Sequence, residues 1–443
     1  MNITYLICAL VFPLLSIFFG NKYRKNPPEK IAKGAAYSTQ LSMQSRQAWN
    51  FAHKYIGTIW FYGGIIVCIL SLLVVYFTKD MPKANIETFI IITIVMQMVL
   101  FGATVVPTAL KLSKKSPIDK KAMEENMNKK IKILIDADTG IDDALAILYA
   151  LKNPKVEVLG VVSGRGNVDA VKAADNTLRI IELADPPYNV PVVVGSDVTL
   201  EGESRQVSSH VHGENGIGNV DLPEPKQKPL DVDFKDFIYN TLKNGEGEVI
   251  IVTLGHMTNL AMAMEKYPDI PNLAKKLVVM GGAVKDPGNV LPHSEANIYG
   301  DPLAADKVFM ADFKTTIVPL DVTMKVLMSK KDIEKLVQTC KPENKPVAEF
   351  IKNSFSFYMN FYKEVQGLDD VCPLHDPLAM LVAVNPYIVK TQAFPIRVET
   401  KGELTRGMFV CDARHKKLEC KQVEIAMEVD EKNALNAILE TLR

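Results

Sequence analysis

Four carboxylates crowd the short run Ile135-Asp136-Ala-Asp138-Thr-Gly140-Ile-Asp142-Asp143. Anions this close repel one another unless positive charge compensates, and a hard divalent cation with oxygen ligands is the simplest compensation. Ca²⁺ accepts several carboxylates and carbonyls at once; Mg²⁺ takes fewer and keeps waters. One aspartate at such a place caps a helix and complements its dipole. Four exceed what a cap can use, so the run reads as a metal site.

The flanking elements position it. Residues 131–135 are apolar except for Lys132 and read as a short buried strand; Gly140 marks a turn; residues 142–151 carry a helical apolar pattern. In an open α/β sheet, ligands bind beyond the carboxyl ends of the strands, where this cluster falls. The alternation continues. Strands are expected at 156–162, 190–194, 248–253, 276–280 and 315–320, with helices at 168–183, 259–266 and 302–310 between them. The expected fold class is α/β, a largely parallel sheet flanked by helices, preceded by an all-α transmembrane segment of three helices.

That segment is a different material from the rest. Residues 2–20, 57–77 and 88–110 are almost wholly apolar and long enough to cross hydrocarbon. The first lacks the basic start and small-residue cleavage site of a signal peptide, so it reads as a span. Three regions are expected: a membrane segment at 1–112, a polar linker at 113–129 and a soluble domain at 130–443. Lys22, Arg24, Lys25, Lys30, Lys33, Arg46 and Lys54 follow the first span, and Lys111, Lys114, Lys115, Lys120 and Lys121 follow the third. The positive-inside rule then puts the soluble domain in the cytoplasm, as part of a multi-pass cell-membrane protein whose partner is the lipid bilayer. The 443 residues carry formal net charge +0, which argues against a nucleic-acid binder, and the six scattered cysteines form no metal spacing or disulfide framework.

Polar residues recur just past the expected strand ends: Gly166-Asn167, His212-Gly-Glu-Asn-Gly-Ile-Gly218, Gly255-His-Met-Thr-Asn259, Met280-Gly-Gly282, Gly288-Asn289, Glu295-Ala-Asn297, His375-Asp-Pro377 and Thr405-Arg-Gly407. In this order, together with the Asp136–Asp143 run, they resemble the inosine-uridine preferring nucleoside hydrolase family from about residue 130 to the end. The resemblance implies hydrolysis of the N-glycosidic bond of purine or pyrimidine ribonucleosides to free base and ribose, with Ca²⁺ as cofactor. It implies that Asp138, Asp143, Asp376 and the backbone carbonyl of Leu254 hold the metal and that Asp138 serves as general base. Asp142, Asn167, His212, Asn289, Glu295 and Asn297 would bind the substrate. His375 would assist the leaving base, with Asn297 also counted in the catalytic set, and Asp136 would support the site from behind. A homo-oligomer is consistent with this reading and not required by it.

The chemistry asks for such a set. The reaction passes through an oxocarbenium-like ribose, which needs a poised water and negative groups around the sugar. Several residues depart from the family pattern. Thr139 stands for the usual Pro, and Ala296 stands where an aromatic is common. Arg165 brings a charge near the site, and His256 replaces a Pro in what reads as a surface loop. Both tryptophans, Trp49 and Trp60, fall in the membrane segment, so no indole sandwiches the base. Tyr358 and Tyr362, four apart on a helix, are placed either to approach it or to pack in the core.

The pattern Trp49-x-x-Ala-x-x-x-x-Gly57 resembles SdpI-type bacterial membrane proteins; an amphipathic juxtamembrane helix with Trp49 and His53 at the headgroups is the other reading. Two alternatives to the hydrolase stand. One is a nucleoside- or ribose-binding sensor coupled to the membrane helices. The other is a Mg²⁺ phosphatase of the haloacid dehalogenase type, with Asp136 as nucleophile and Asp138 as acid/base.

Overall fold

The computed structural model describes residues 3–28, 42, 46–108, 130–204, 206–412, 414 and 420–443; the expected linker lies outside them. The chain forms two units, Met1–Met127 and Asn128–Arg443.

Apolar runs too long for a soluble core make the helices of the first unit: α1 (Ile3–Lys25), α2 (Arg46–Thr78) and α3 (Lys83–Ala103). All three are long and apolar enough to cross a membrane, over Leu6–Lys25, Trp49–Thr78 and Asn85–Thr108. The second stretch starts earlier than the apolar count implies, because α2 runs unbroken through Trp49 and His53. Trp49 is fully buried, its indole N–H donating to the Pro28 carbonyl at 2.9 Å, and His53 is buried beside it. Gln97 ties the unit together, donating to the Ala9 carbonyl at 3.1 Å and the Ser71 hydroxyl at 2.9 Å. Buried polar side chains hold helices together in this way where no hydrophobic drive exists between them.

Glycines let α1 and α2 touch backbone to backbone. A Cβ on Gly20 would lie 2.5 Å from the Phe61 nitrogen, and one on Gly57 would lie 2.6 Å from the Arg24 nitrogen, whereas one on Gly63 meets nothing. Gly57→Leu should therefore cost about 1–3 kcal/mol of overpacking, read as earlier unfolding of the detergent-solubilised chain in a denaturant titration. Gly63→Leu should be near neutral. Equal behaviour of the two variants would contradict this packing.

In the second unit, continuous Val and Ile runs form strands buried on both faces. β1 (Ile131–Ala137) pairs in parallel with β2 (Val156–Ser163) on one side and, on the other, with β4 (Val249–Thr253). β3 (Val192–Val194), β5 (Lys276–Met280) and β6 (Thr315–Val318) extend the parallel ladder. A short antiparallel ribbon, β7 (Leu327–Ser329) with β8 (Val371–Pro373), stands apart. β9 (Val389–Val398), β10 (Phe409–Cys411) and β11 (Lys421–Val429) complete a nine-stranded sheet in the order β10-β9-β11-β6-β5-β4-β1-β2-β3. β11 joins β6 in parallel, but β9 is antiparallel to both of its neighbours. The sheet is largely parallel, with one antiparallel edge.

Helices cover both faces. α4 (Ile141–Lys152), which follows the aspartate loop, is buried from Ile141 to Leu151. With α5 (Ala170–Ala184), it lies over the face that β1 presents through Ile133 and Ile135; Leu134 points to the other core, beside α6 (Phe234–Asn244), α7 (Thr258–Lys266) and α8 (Pro302–Met310). This is the period-2 alternation of a strand. α9 (Lys345–Gln366) and the apolar α10 (His375–Val384) pack on the α4 side, and α11 (Glu431–Leu442) closes the chain.

Candidate active site

The loops leaving the carboxyl ends of β1, β2, β4 and β5 converge with the first turns of α4 and α10. Asp138 leaves β1 between two glycines. A Cβ on Gly166 would overlap its Oδ2, and one on Gly255 would overlap its Oδ1. The Gly-Asn and Gly-x-x-Thr-Asn motifs thus exist partly to let backbone close around this carboxylate. Oδ2 accepts the Asn167 N–H at 2.6 Å, while Oδ1 is buried with no hydrogen-bond donor. Asp143, in the first turn of α4, accepts the Gly140 N–H at 2.9 Å and the Asn167 amide at 3.0 Å through Oδ2; its Oδ1 also lacks a donor. Asp136 lies behind them, held by the Asn259 side chain at 2.8 Å, with Oδ2 unpartnered. Asp376 begins α10, and oxygens of Asp142, Asp143 and Asp376 lie within 4.8 Å of one another.

Burial pushes all five aspartates up, and neighbouring negative charges add to it for all but Asp138: Asp136 to about 7, Asp142 to about 6, Asp138 upward against His256 and the Asn167 N–H, Asp143 and Asp376 well upward. Buried anionic oxygens without donors are expensive. An all-oxygen donor set carrying that much charge fits a hard cation. The Leu254 carbonyl, at the end of β4, faces the same space and accepts the Asn297 amide at 2.6 Å.

A pocket opens above the cluster. Its wall includes Asp142, Asn167, His212, Leu254, Asn289, Glu295, Asn297, His375 and Asp376, with Tyr358, Phe361 and Tyr362 on the α9 side. Asp138 and Asp143 lie beneath it rather than in its lining. His212 accepts the Ile141 N–H through Nδ1 at 3.0 Å, so its Nε2 carries the proton; burial lowers its pKa to about 3, keeping it neutral. Glu295 caps the short helix Ala296–Gly300, accepting N–H groups of Gly282, Asn297 and Ile298 at 2.9–3.2 Å, and burial pushes it to about 7. Both of its oxygens are thus engaged by backbone. Asn289 is exposed at the mouth, where its Oδ1 accepts the Ala296 N–H at 2.9 Å.

On the α9 side, hydroxyls and an imidazole form a buried chain. Tyr358 donates to Asp142 at 3.3 Å; its hydroxyl lies 3.4 Å from that of Tyr362, which is 2.7 Å from His375 Nε2. The tyrosines therefore both pack in the core and line the pocket. Two expectations need correcting. Arg165 turns away from the pocket to pair with Asp197 at 3.0 Å, and its guanidinium adds no charge to the lining. His256 is half-buried against Gly300, close enough for its charge to favour the Asp138 carboxylate, instead of lying on a surface loop. Sequence reasoning missed Thr323, whose hydroxyl lies 2.7 Å from His375 Nδ1. It also missed Phe361 and His210, which face each other at 5.9 Å on the pocket rim. His210 was signalled only by its place two residues before His212.

The family model for inosine-uridine preferring nucleoside hydrolases matches residues 133–436, and the chain belongs to that family. The model for the SdpI/YfhL protein family matches residues 30–108. A probable uridine nucleosidase of Oryza sativa subsp. japonica is 36% identical over 318 residues, 70% of this chain and 96% of its own length. A pyrimidine-specific ribonucleoside hydrolase of Klebsiella pneumoniae is 32% identical, with 70% of this chain covering 97% of it. Among solved structures, a purine-preferring ribonucleoside hydrolase from Gardnerella vaginalis superposes with TM-score 0.65 at 35% identity, and a plant nucleoside hydrolase with TM-score 0.66 at 32%. These cover 70% of this chain and 98% of each solved relative. The chain is a nucleoside hydrolase with three apolar helices placed before its catalytic unit.

Proposed function

We propose a Ca²⁺-dependent ribonucleoside hydrolase anchored in the cell membrane by α1–α3, with the catalytic unit in the cytoplasm. The observation that carries the chemistry is Asp138: a buried carboxylate with one oxygen free of donors, under a pocket lined by polar groups. Asp138, Asp143, Asp376 and the Leu254 carbonyl would hold the ion. Bound there, Ca²⁺ would supply Lewis-acid activation of the attacking water and positive charge beside the ribose.

This chain's own groups do the rest. Asp138 takes the water's proton. Asp142, Asn167, His212, Asn289 and Asn297 hold the sugar, with Glu295 bracing the loop that carries Asn297. The buried carboxylates favour the positive charge that develops on the ribose. His375 and Tyr362 face the departing base. Among the described residues, no lysine or arginine lines the pocket, which favours a neutral nucleoside over a 5′-phosphorylated one. The phosphatase reading loses its nucleophile, since Asp136 lies behind Asp138 and outside the lining.

Because two solved relatives are matched over 98% of their chains by 70% of this one, the Asn128–Arg443 fragment can be assayed by itself. Given inosine, uridine, cytidine, adenosine and guanosine, it should release free base with Ca²⁺ and stop with chelator. Saturable nucleoside binding without release would replace the hydrolase with a sensor.

A further inference from the structure

The geometry points to Thr323 as the positioning residue that fixes which nitrogen of His375 carries the proton, and we propose that this choice governs departure of the base. The inference rests on the hydrolase reading. Thr323 ends the turn Leu320–Thr323 that follows β6, is fully buried, and is 52 residues from His375 in sequence. Its hydroxyl has one partner among the described residues, His375 Nδ1 at 2.7 Å. A buried hydroxyl that donates to nothing costs about 1–3 kcal/mol. If Nδ1 bore the proton, the Thr323 O–H would have no acceptor. The hydroxyl therefore donates to a bare Nδ1, and the proton sits on Nε2.

The other end of the chain gives the same direction. Tyr358 donates to the Asp142 carboxylate, so its oxygen is free to accept from Tyr362, whose oxygen in turn accepts from His375 Nε2–H. Every bond then runs one way, from Thr323 to Asp142, and none requires a charged imidazole. As the C1′–N bond breaks, its electron pair moves onto the base. With the base bound, Nε2–H turns its single hydrogen bond from the Tyr362 oxygen to that growing charge and keeps its proton, while the proton of the attacking water goes to Asp138. A neutral imidazole serving as an electrophilic hydrogen-bond donor has precedent in other enzymes. Inverting the tautomer would present a lone pair to the base and repel the charge instead.

The test separates leaving-group help from the rest of the site. Thr323→Val keeps the volume and removes the hydroxyl; Thr323→Ser restores it. Two substrates are compared with Ca²⁺ present: the better of uridine and inosine, and p-nitrophenyl β-D-ribofuranoside, whose leaving group departs without assistance. Thr323→Val should lower kcat on the nucleoside roughly 10–100-fold with little change in KM, while p-nitrophenyl release stays within about threefold. Thr323→Ser should recover most of the nucleoside rate. A parallel fall on both substrates, or no fall on either, overturns the inference. Turnover of the p-nitrophenyl substrate also reports that the variant has folded. Independently of any variant, ¹⁵N NMR of the wild-type fragment should show His375 with an unprotonated Nδ1, and a protonated Nδ1 overturns the proposal. Wild-type protein inactive on both substrates would sink the hydrolase reading itself, a result distinguishable from either.

Discussion

Asp138→Asn should reduce base release about 10³-fold or more while leaving the fold intact. The asparagine oxygen can still accept the Asn167 N–H that Asp138 receives at 2.6 Å, so the loop after β2 keeps its anchor. What disappears is the negative charge on the oxygen that now has no donor. Under the proposed mechanism, removing it takes away the base and weakens the cation's donor set in one step. The same change removes one of five like charges crowded in the interior, so the chelated variant should melt higher than chelated wild type. Steady-state rates at saturating Ca²⁺ and thermal melts in chelator check the two halves. A wild-type-like rate would sink the mechanism; a lower melting point in chelator would sink the electrostatic account.

The parallel half of the sheet was legible because its strands are buried on both faces and read as unbroken Val and Ile runs; 276–280 is expected and found at Lys276–Met280. The antiparallel edge was not. β9 mixes Lys390, Thr391, Gln392 and Pro395 into a half-exposed strand that the short edge strand β10 pairs only at Ile396–Val398, and a strand so little covered needs no apolar continuity. The 315–320 expectation overran β6 because Pro319 and Leu320 are apolar but already begin the turn that carries Thr323. The same limit governs the site. Asp142 and Asp143 announce themselves by clustering, and His375 by its place beside Asp376. Thr323 announces nothing, since its role exists only once β6 and α10 lie side by side. Glu295 shows the converse: its type and motif suggest a sugar ligand, and the sequence does not show that the same carboxylate, in the pocket wall, also accepts three backbone N–H groups. Arg165 reads as a charge near the site, and its pairing with Asp197, 32 residues later, is visible only in the fold.

Removing the cation should make the catalytic unit's stability fall with rising pH, and adding it should reverse that fall. Without a cation, burial lifts Asp136 to about 7, Asp142 to about 6 and Glu295 to about 7, from ordinary values of 3.8 for Asp and 4.5 for Glu. Between the ordinary and raised values the folded chain holds protons that the unfolded chain has released. Stability from these groups is therefore full below the ordinary values and is lost as pH climbs through about 6 and about 7. A Ca²⁺ ion does what those protons do, and at higher pH it competes with fewer of them. At a hundredfold excess over its Kd the ion contributes about 2.7 kcal/mol. In chelator, the melting temperature of the Asn128–Arg443 fragment should drop between pH 5 and pH 8. The rise produced by Ca²⁺ should be larger at pH 8 than at pH 5. Mg²⁺, which dehydrates reluctantly and prefers a tighter octahedral cage, should give the smaller rise. An equal Ca²⁺ shift at both pH values would mean that the aspartates do not share protons and metal. No shift at either would remove the cation from the site and leave the five carboxylates without a physical reason to be together.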